Sequence, residues 1–295
     1  MGTDFSIPRP NGSHRLLARS VLEHELSELR LVLERHAGVL LDWQNDKLGR
    51  AVGDYLELRG LDSAEELLAL LRVSDSECES LLERLLEGET GFFRHPAVFE
   101  AFGKQILPEL HARKAGSRPC SLRLWSVGCS TGEEIYSIAI TVCEQVNSGI
   151  DGWNIQIVGS DIRRPALRAA EQGLYTQQDV SPVPPSLVES YFERLGPHFR
   201  VKPRLRNLVT FSQMNLARPA YIGRFDGIFC MNVLPHFSSA QRSALVERLH
   251  LYLDPGGYLV LGQGEKLPNT NATFHSEPGG AFRKPLVMAA RSGRA

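Results

Sequence analysis

The sequence predicts an α/β chain, a doubly wound and mostly parallel sheet that follows a small all-helical N-terminal domain. Three observations predict it. Up to about Leu86 the apolar residues recur at the three- and four-residue steps of helices. After Pro119 short apolar runs alternate with helical stretches, as in strands joined by crossover helices and covered on both faces. A cluster of small residues, VGCSTG, stands where the first of those strands would turn into its helix. At 295 residues, 42% of them hydrophobic, the chain can build a main domain and a smaller companion.

Residues 1–13 are rich in Pro, Gly and Ser and read as a loose tail, and the helical domain spans 14–88. Its first helix buries Leu22, Leu26, Leu29 and Leu33, with Leu17 and Val21 leading in. A second covers Asp46 to Leu58 and stops at Gly60, a common C-terminal cap. A third begins at Asp62 or Ser63, with Glu65 and Glu66 in the first turn, where the helix dipole favours acids. Ser74 or Asp75 starts a fourth that ends around Glu87–Gly88. The loop ETGFFRHP and a helix from Val98 to Lys114 lead into the second domain, 89–295. Strands are expected at 121–127, 153–161, 208–214, 225–233 and 257–262, with helices at 132–147, 165–172 and 239–253. Residues 174–207 form a long insertion, in which RVKPRLRNL makes a small hairpin or a basic surface strip.

Composition excludes several function classes. A formal net charge of −1 supplies no overall field towards nucleic acid or a lipid surface. The five cysteines, Cys78, Cys120, Cys129, Cys143 and Cys230, are scattered and form no CxxC pair. That pattern implies reduced thiols and a cytoplasmic protein, not a disulfide frame or a zinc site. The first fifteen residues lack the apolar core of a signal peptide, and no stretch is apolar enough to enter a membrane. MGTDFS fits a loose myristoylation pattern that a plain start also satisfies.

In such sheets ligands sit beyond the carboxyl ends of the strands. Gly128 and Gly132 permit tight backbone geometry there, and Ser130 and Thr131 offer hydroxyls and amides at a helix N-terminus. The loop alone could equally be a plain strand-to-helix connection. A phosphate cradle is disfavoured: neither GxxxxGK[ST] nor GxGxxG is present, and Glu133 and Glu134 would repel a pyrophosphate. One of those two acids is expected to face solvent. The second strand ends in GSDI, where Asp161 can accept both hydroxyls of a ribose or can cap the helix RRPALRAA. A nucleoside with a positive, phosphate-free tail means S-adenosyl-L-methionine before NAD or ATP.

The pieces TGFFRHPAVF (90–99), LWSVGCSTGEEIYSIAI (124–140), GSDI, ALRAAEQGLY (166–175), FSQMNL (211–216), FDGIFCMNVLPHF (225–237) and LDPGGYLVLGQGE (253–265) together resemble the chemotaxis receptor methyltransferases, the CheR family. The resemblance covers almost the whole chain. It implies a Rossmann-like, class I methyltransferase fold with a small antiparallel β insertion. It also implies transfer of a methyl from S-adenosyl-L-methionine, leaving S-adenosyl-L-homocysteine, to glutamates of a chemoreceptor cytoplasmic domain or a related signalling protein. Carried over by position, the cofactor contacts fall on Thr90, Arg94, Glu134, Asp161, Asn215, Leu216 and Asn232, with Gly128 and Met231 in the same loops. The second Glu of the pair is the one that meets the cofactor, which leaves Glu133 to solvent. The insertion corresponds to a subdomain that grips a receptor tail in some members; here it is short and lacks a Gly-rich loop, which argues against a receptor-tail pentapeptide tether.

Several positions depart from the family pattern. Gly88 stands for an Asn, Met231 for an Arg and His236 for a Tyr, and GQGE, with Gln263 and Gly264, replaces GHSE. The second helix, strongly basic in the family, keeps Lys47, Arg50 and Arg59 but adds Asp54 and Glu57. A cofactor-binding regulatory module, or a methyltransferase with another acceptor, is the alternative these changes leave open. Arg94 and His236 are the candidate catalytic residues, as donors to the acceptor carboxylate. Arg94 could instead order the cofactor or bridge the domains, and His236 could merely follow Pro235 into a different loop. Phe92, Phe93 and Phe237 read as core or adenine-flanking surface, and Cys129 and Cys230 as small packing residues.

Overall fold

In the computed structural model, which describes residues 23–37, 45–86, 90–115, 120–146, 153–216 and 223–286, the chain divides into two compact units. The first holds α1 (Glu23–Ala37), α2 (Asn45–Arg59), α3 (Ala64–Val73) and α4 (Asp75–Leu85). Leu26, Leu29 and Leu33 of α1 are buried, as are Leu48, Val52 and Tyr55 of α2, so the faces set by helical periodicity are the faces that pack. Ser63 caps α3, its hydroxyl accepting the Glu66 N–H at 3.2 Å. Tyr55 donates to the Glu77 carboxylate at 2.6 Å and Arg59 Nε reaches the same group at 3.0 Å, which ties α2 to α4. The expected tail, the start of the first helix with Leu17, Val21 and Leu22, and Gly88 lie outside the described residues.

The second unit opens with α5 (Pro96–Ala101), a π-helical turn (Phe102–Ile106) and α6 (Leu107–Lys114). The helix begins before Val98 because Pro96, whose missing N–H costs nothing in a first turn, already starts it. The strands are β1 (Ser121–Val127), β2 (Asn154–Asp161), β3 (Leu174–Thr176), β4 (Phe192–Leu195), β5 (His198–Val201), β6 (Val209–Gln213), β7 (Phe225–Phe229), β8 (Leu253–Val260), β9 (His275–Glu277) and β10 (Ala281–Arg283). Between them run α7 (Glu133–Val146), α8 (Arg164–Gln172), α9 (Gln177–Val180), α10 (Pro185–Tyr191), α11 (Pro203–Arg206) and α12 (Ser239–Tyr252).

Seven strands form one sheet in the order β6-β2-β1-β7-β8-β10-β9. The first five are mutually parallel, with Leu124 of β1 beside Ile157 of β2 and Gly227 of β7; β10 and β9 run antiparallel at the far edge. The chain therefore steps outward through β2 and β6, then returns to place β7 against the other side of β1. That reversal opens a crevice at the carboxyl ends of β1 and β7. This is the doubly wound, mostly parallel sheet the sequence predicts.

Three features differ from expectation. β7 stops at Phe229, not at 233, because the chain then turns into the left-handed backbone of Asn232. RVKPRLRNL is neither a hairpin nor a loose strip: Arg200–Val201 end β5 and Pro203 starts α11. The strand β5 pairs with β3 and β4 to make the small antiparallel sheet of the insertion. The edge strands β9 and β10 escape sequence reading because three residues show no periodicity; β10 is held by pairing with β8, and β9 by pairing with β10. No helix among the described residues is long and apolar enough to cross a membrane.

Candidate functional site

The five parallel strands run the same way, so the loops after β1, β2, β6, β7 and β8 gather at one edge of the sheet. Gly128 follows β1 with φ +70°. A Cβ there would lie 2.8 Å from Cγ2 of Val233, so the β1 and β7 loops meet only because residue 128 has no side chain. This is the crevice of the switch point, and the sequence-nominated residues can be placed around it.

Asp161 ends β2 and is 7% exposed. Its Oδ2 accepts the Ser130 N–H at 2.9 Å, and its Oδ1 accepts the Arg163 N–H at 2.9 Å and Nε at 3.3 Å. Arg163 also donates to the Ser130 hydroxyl at 2.7 Å. Asp161 thus ties the loop after β1 to the turn before α8, but it does not cap that helix, whose N-cap position is Arg163 without a side-chain cap hydrogen bond. Arg163 was not nominated from sequence; the only signal was an arginine two places after the strand-end acid.

The acids of α7 divide the work differently from expectation. Glu133, assigned to solvent, is buried. It accepts the Thr131 hydroxyl at 2.7 Å and a hydrogen bond from the Thr90 side chain, and burial holds its pKa above the usual carboxylate range. The reason is tertiary: the Phe93 N–H donates to Ser137 at 3.0 Å, so the TGFFR loop lies across the first turn of α7 where water would otherwise be. Thr90 therefore bonds Glu133.

Glu134 accepts the Ser126 hydroxyl at 2.7 Å. Burial among protein atoms pushes its pKa up to about 8; the Ser126 hydroxyl pulls it down, the charge of Glu265 adds to the rise, and that of Arg94 opposes it. Arg94, an exposed side chain, is thereby placed within electrostatic reach of Glu134.

On the other side of the crevice, Asn232 has φ +59°. Its N–H donates to Glu265 Oε2 at 3.0 Å and its Oδ1 meets His95 Nε2 at 2.7 Å. Neither His95 nor Glu265 was nominated from sequence. Asn215 and Leu216 lie just past β6, where the Met214 N–H donates to the Asp161 carbonyl at 2.9 Å and Arg248 of α12 holds the Leu216 carbonyl at 2.6 Å. Met231 packs into the core beneath the loop. His236 sits in the 3-10 turn Leu234–His236, partly buried. Phe92 and Phe237 are buried, and Phe92 packs edge-on against Tyr175 and Phe192 of the insertion. Cys129 and Cys230 are buried and their thiols are pushed well up by desolvation, which leaves them unreactive. No group of potential metal ligands occurs among the described residues.

The edge suits a nucleoside with a cationic tail better than a polyphosphate. The Ser130 amide, which a phosphate would require, is already taken by Asp161. Acceptors dominate instead: Asp161, Glu134, and Glu265, whose Oε1 is buried without a hydrogen-bond partner.

Residues 88–282 match the family model described as "CheR methyltransferase, SAM binding domain". The chain is 34% identical to chemotaxis protein methyltransferase 1 of Pseudomonas aeruginosa, over 81% of this chain and 89% of that one. It is 32% identical to the chemotaxis protein methyltransferase of Salmonella typhimurium, over 90% and 93% of the two chains. With the Escherichia coli protein of the same name it shares 31% identity, over 83% and 85%.

Proposed function

The chain belongs to the CheR methyltransferase family, and we propose that it transfers the methyl of S-adenosyl-L-methionine to glutamate side chains of a chemoreceptor's cytoplasmic domain. Methyl transfer from that cofactor in chemotaxis signalling follows from the family; the acceptor residue and the roles of individual side chains are our reading. The observation that carries it is the acceptor-rich crevice at β1 and β7, with Glu134 partly buried beside Ser126 and within reach of Arg94. Asp161 would take the ribose hydroxyls. A carboxylate offers about four acceptor positions and three are engaged, so the longest contact, Arg163 Nε at 3.3 Å, is the one a ribose would displace. Thr90, Asn215, Leu216 and Asn232 complete the cofactor set, and the all-helical unit would dock the partner. Within that unit Arg59 is already engaged by Glu77, so its charge is less available to an acidic partner than the composition suggests.

Bound in the crevice, S-adenosyl-L-methionine supplies an electrophilic methyl on a positively charged sulfur. A glutamate nucleophile, with an ordinary pKa of about 4.3, is ionised at neutral pH and needs no general base. The protein's tasks are to exclude water and to align the attacking oxygen, and alignment can lower the barrier by about 7–11 kcal/mol. Charge is destroyed along the path, so a strong ion pair to the acceptor would stabilise the ground state more than the transition state. One orienting donor suffices, and Arg94 or His236 would provide it. His236→Tyr, which restores a hydroxyl donor, is expected to keep or raise transfer to receptor glutamates by radiolabel assay. A collapse of activity with the fold intact would show a site rebuilt around the imidazole.

The decisive experiment is transfer of labelled methyl groups to cognate receptor membranes, followed by mild alkali. Label released by alkali is a glutamyl ester and supports the proposal. Alkali-stable label indicates another acceptor, and cofactor binding without any transfer indicates a regulatory module.

A further inference from the structure

Glu265 lies just past the carboxyl end of β8, and its carboxylate is engaged by backbone. Oε2 accepts the N–H of Asn232 at 3.0 Å and that of Gly262 at 2.6 Å. One oxygen thus joins the exits of β7 and β8. Gly262 makes this possible: a Cβ there would lie 2.8 Å from Glu265 Oε2 and 3.1 Å from His95 Nε2. Asn232 is gripped a second time through its side chain, where Oδ1 meets His95 Nε2 at 2.7 Å. These two holds fall on a residue at φ +59°, in the left-handed region that glycine enters freely and asparagine only occasionally. The loop continues into Val233, which rests against Gly128 on the opposite wall of the crevice.

We propose that Glu265 is a positioning residue for the cofactor: by holding the amides of Asn232 and Gly262 on one oxygen, it sets the left-handed backbone at 232 and so the wall of the crevice that faces the β1 loop. The inference rests on the reading that this crevice holds S-adenosyl-L-methionine. Because Oε1 makes no hydrogen bond, its replacement by an amide nitrogen removes none, whereas loss of Oε2 frees both amides.

The test is calorimetric titration of the full chain with S-adenosyl-L-homocysteine, alongside thermal melts. Glu265→Ala is expected to bind about tenfold more weakly. Glu265→Gln, which keeps an acceptor for both amides, is expected to stay within about threefold of the parent. Glycine enters positive φ freely, so in an Asn232→Gly background the Glu265→Ala loss is expected to shrink below about twofold. If alanine does not fold, Glu265→Asp, whose shorter arm cannot span both amides, takes its place with the same expectation. A parent chain that fails to bind S-adenosyl-L-homocysteine takes down the cofactor reading and this inference together. A parent that binds sinks this inference alone if glutamine is as weak as alanine, if alanine binds as the parent does, or if the loss persists undiminished in the Asn232→Gly background.

Discussion

Asp161→Ala is expected to lose both cofactor affinity and stability. The substitution removes the acceptor for the Ser130 amide and for two nitrogens of Arg163, whose side chain is 11% exposed. A buried charge left without its partner costs about 3–5 kcal/mol; the remaining exposure of Arg163 lets it turn towards water, which places the result at the lower end. For a domain of this size each kcal/mol lowers the melting temperature by about 2–4 °C. Affinity for S-adenosyl-L-homocysteine should fall by roughly a hundredfold, the equivalent of two lost charge-assisted hydrogen bonds at about 1.5 kcal/mol each. Asp161→Asn separates the two effects. It keeps one acceptor oxygen, so most of the stability should return, while affinity should remain about tenfold down. An unchanged dissociation constant for the alanine variant would remove Asp161 from the ribose role.

The second strong effect is expected at Glu134, and it depends on pH. In the cofactor-free protein burial holds its carboxyl neutral up to about 8, against an ordinary 4.5. Between those values the unfolded chain has released the proton and the folded chain has not. Stability from this group is therefore greatest below pH 4.5, declines as pH rises, and levels off above 8. Glu134→Gln removes that decline, so its melting temperature should exceed the parent's at pH 8 and converge with it near pH 4.5. A sulfonium or ammonium bound beside the carboxyl draws it into the ionised form. Binding at pH 7 should then release close to one proton, visible when calorimetry is repeated in buffers of different ionisation heat. A charge pair at about 4 Å contributes roughly 4 kcal/mol at an effective dielectric constant near 20. Ionising the carboxyl at pH 7 offsets about 1.4 kcal/mol of that. The glutamine variant should accordingly bind about 30- to 100-fold more weakly and release no proton. Proton release that survives in the variant would assign the titration elsewhere.

Much of the molecule is written in local pattern. Leu26, Leu29 and Leu33 mark the buried face of α1, and the strand at 121–127 is found at those residues, because helix and strand periodicities are properties of neighbours in sequence. The loop GCSTG and the acid of GSDI point to the crevice for the same reason: a strand-end acid and a small-residue turn are local features whose place in a parallel sheet follows from topology. The cofactor class is also legible, since neither GxxxxGK[ST] nor GxGxxG is present and two adjacent acids follow the loop.

Which of those carboxylates meets solvent was not legible. Glu133 and Glu134 are consecutive, and their fates differ only because the TGFFR loop, about 40 residues earlier in sequence, is held across α7 by Ser137 and supplies Thr90 to Glu133. Arg163 carries no motif of its own, and His95 and Glu265 stand within TGFFRHPAVF and GQGE, which do not reveal their partners. They matter through contacts made across strands, to Ser130, Asn232 and Gly262. Neighbours along the chain thus suffice to read the elements, their order, the family and the class of cofactor. Which polar groups are buried, and which partner satisfies each, emerges from the folded chain, because burial and hydrogen bonding join residues that are neighbours in space and distant in sequence.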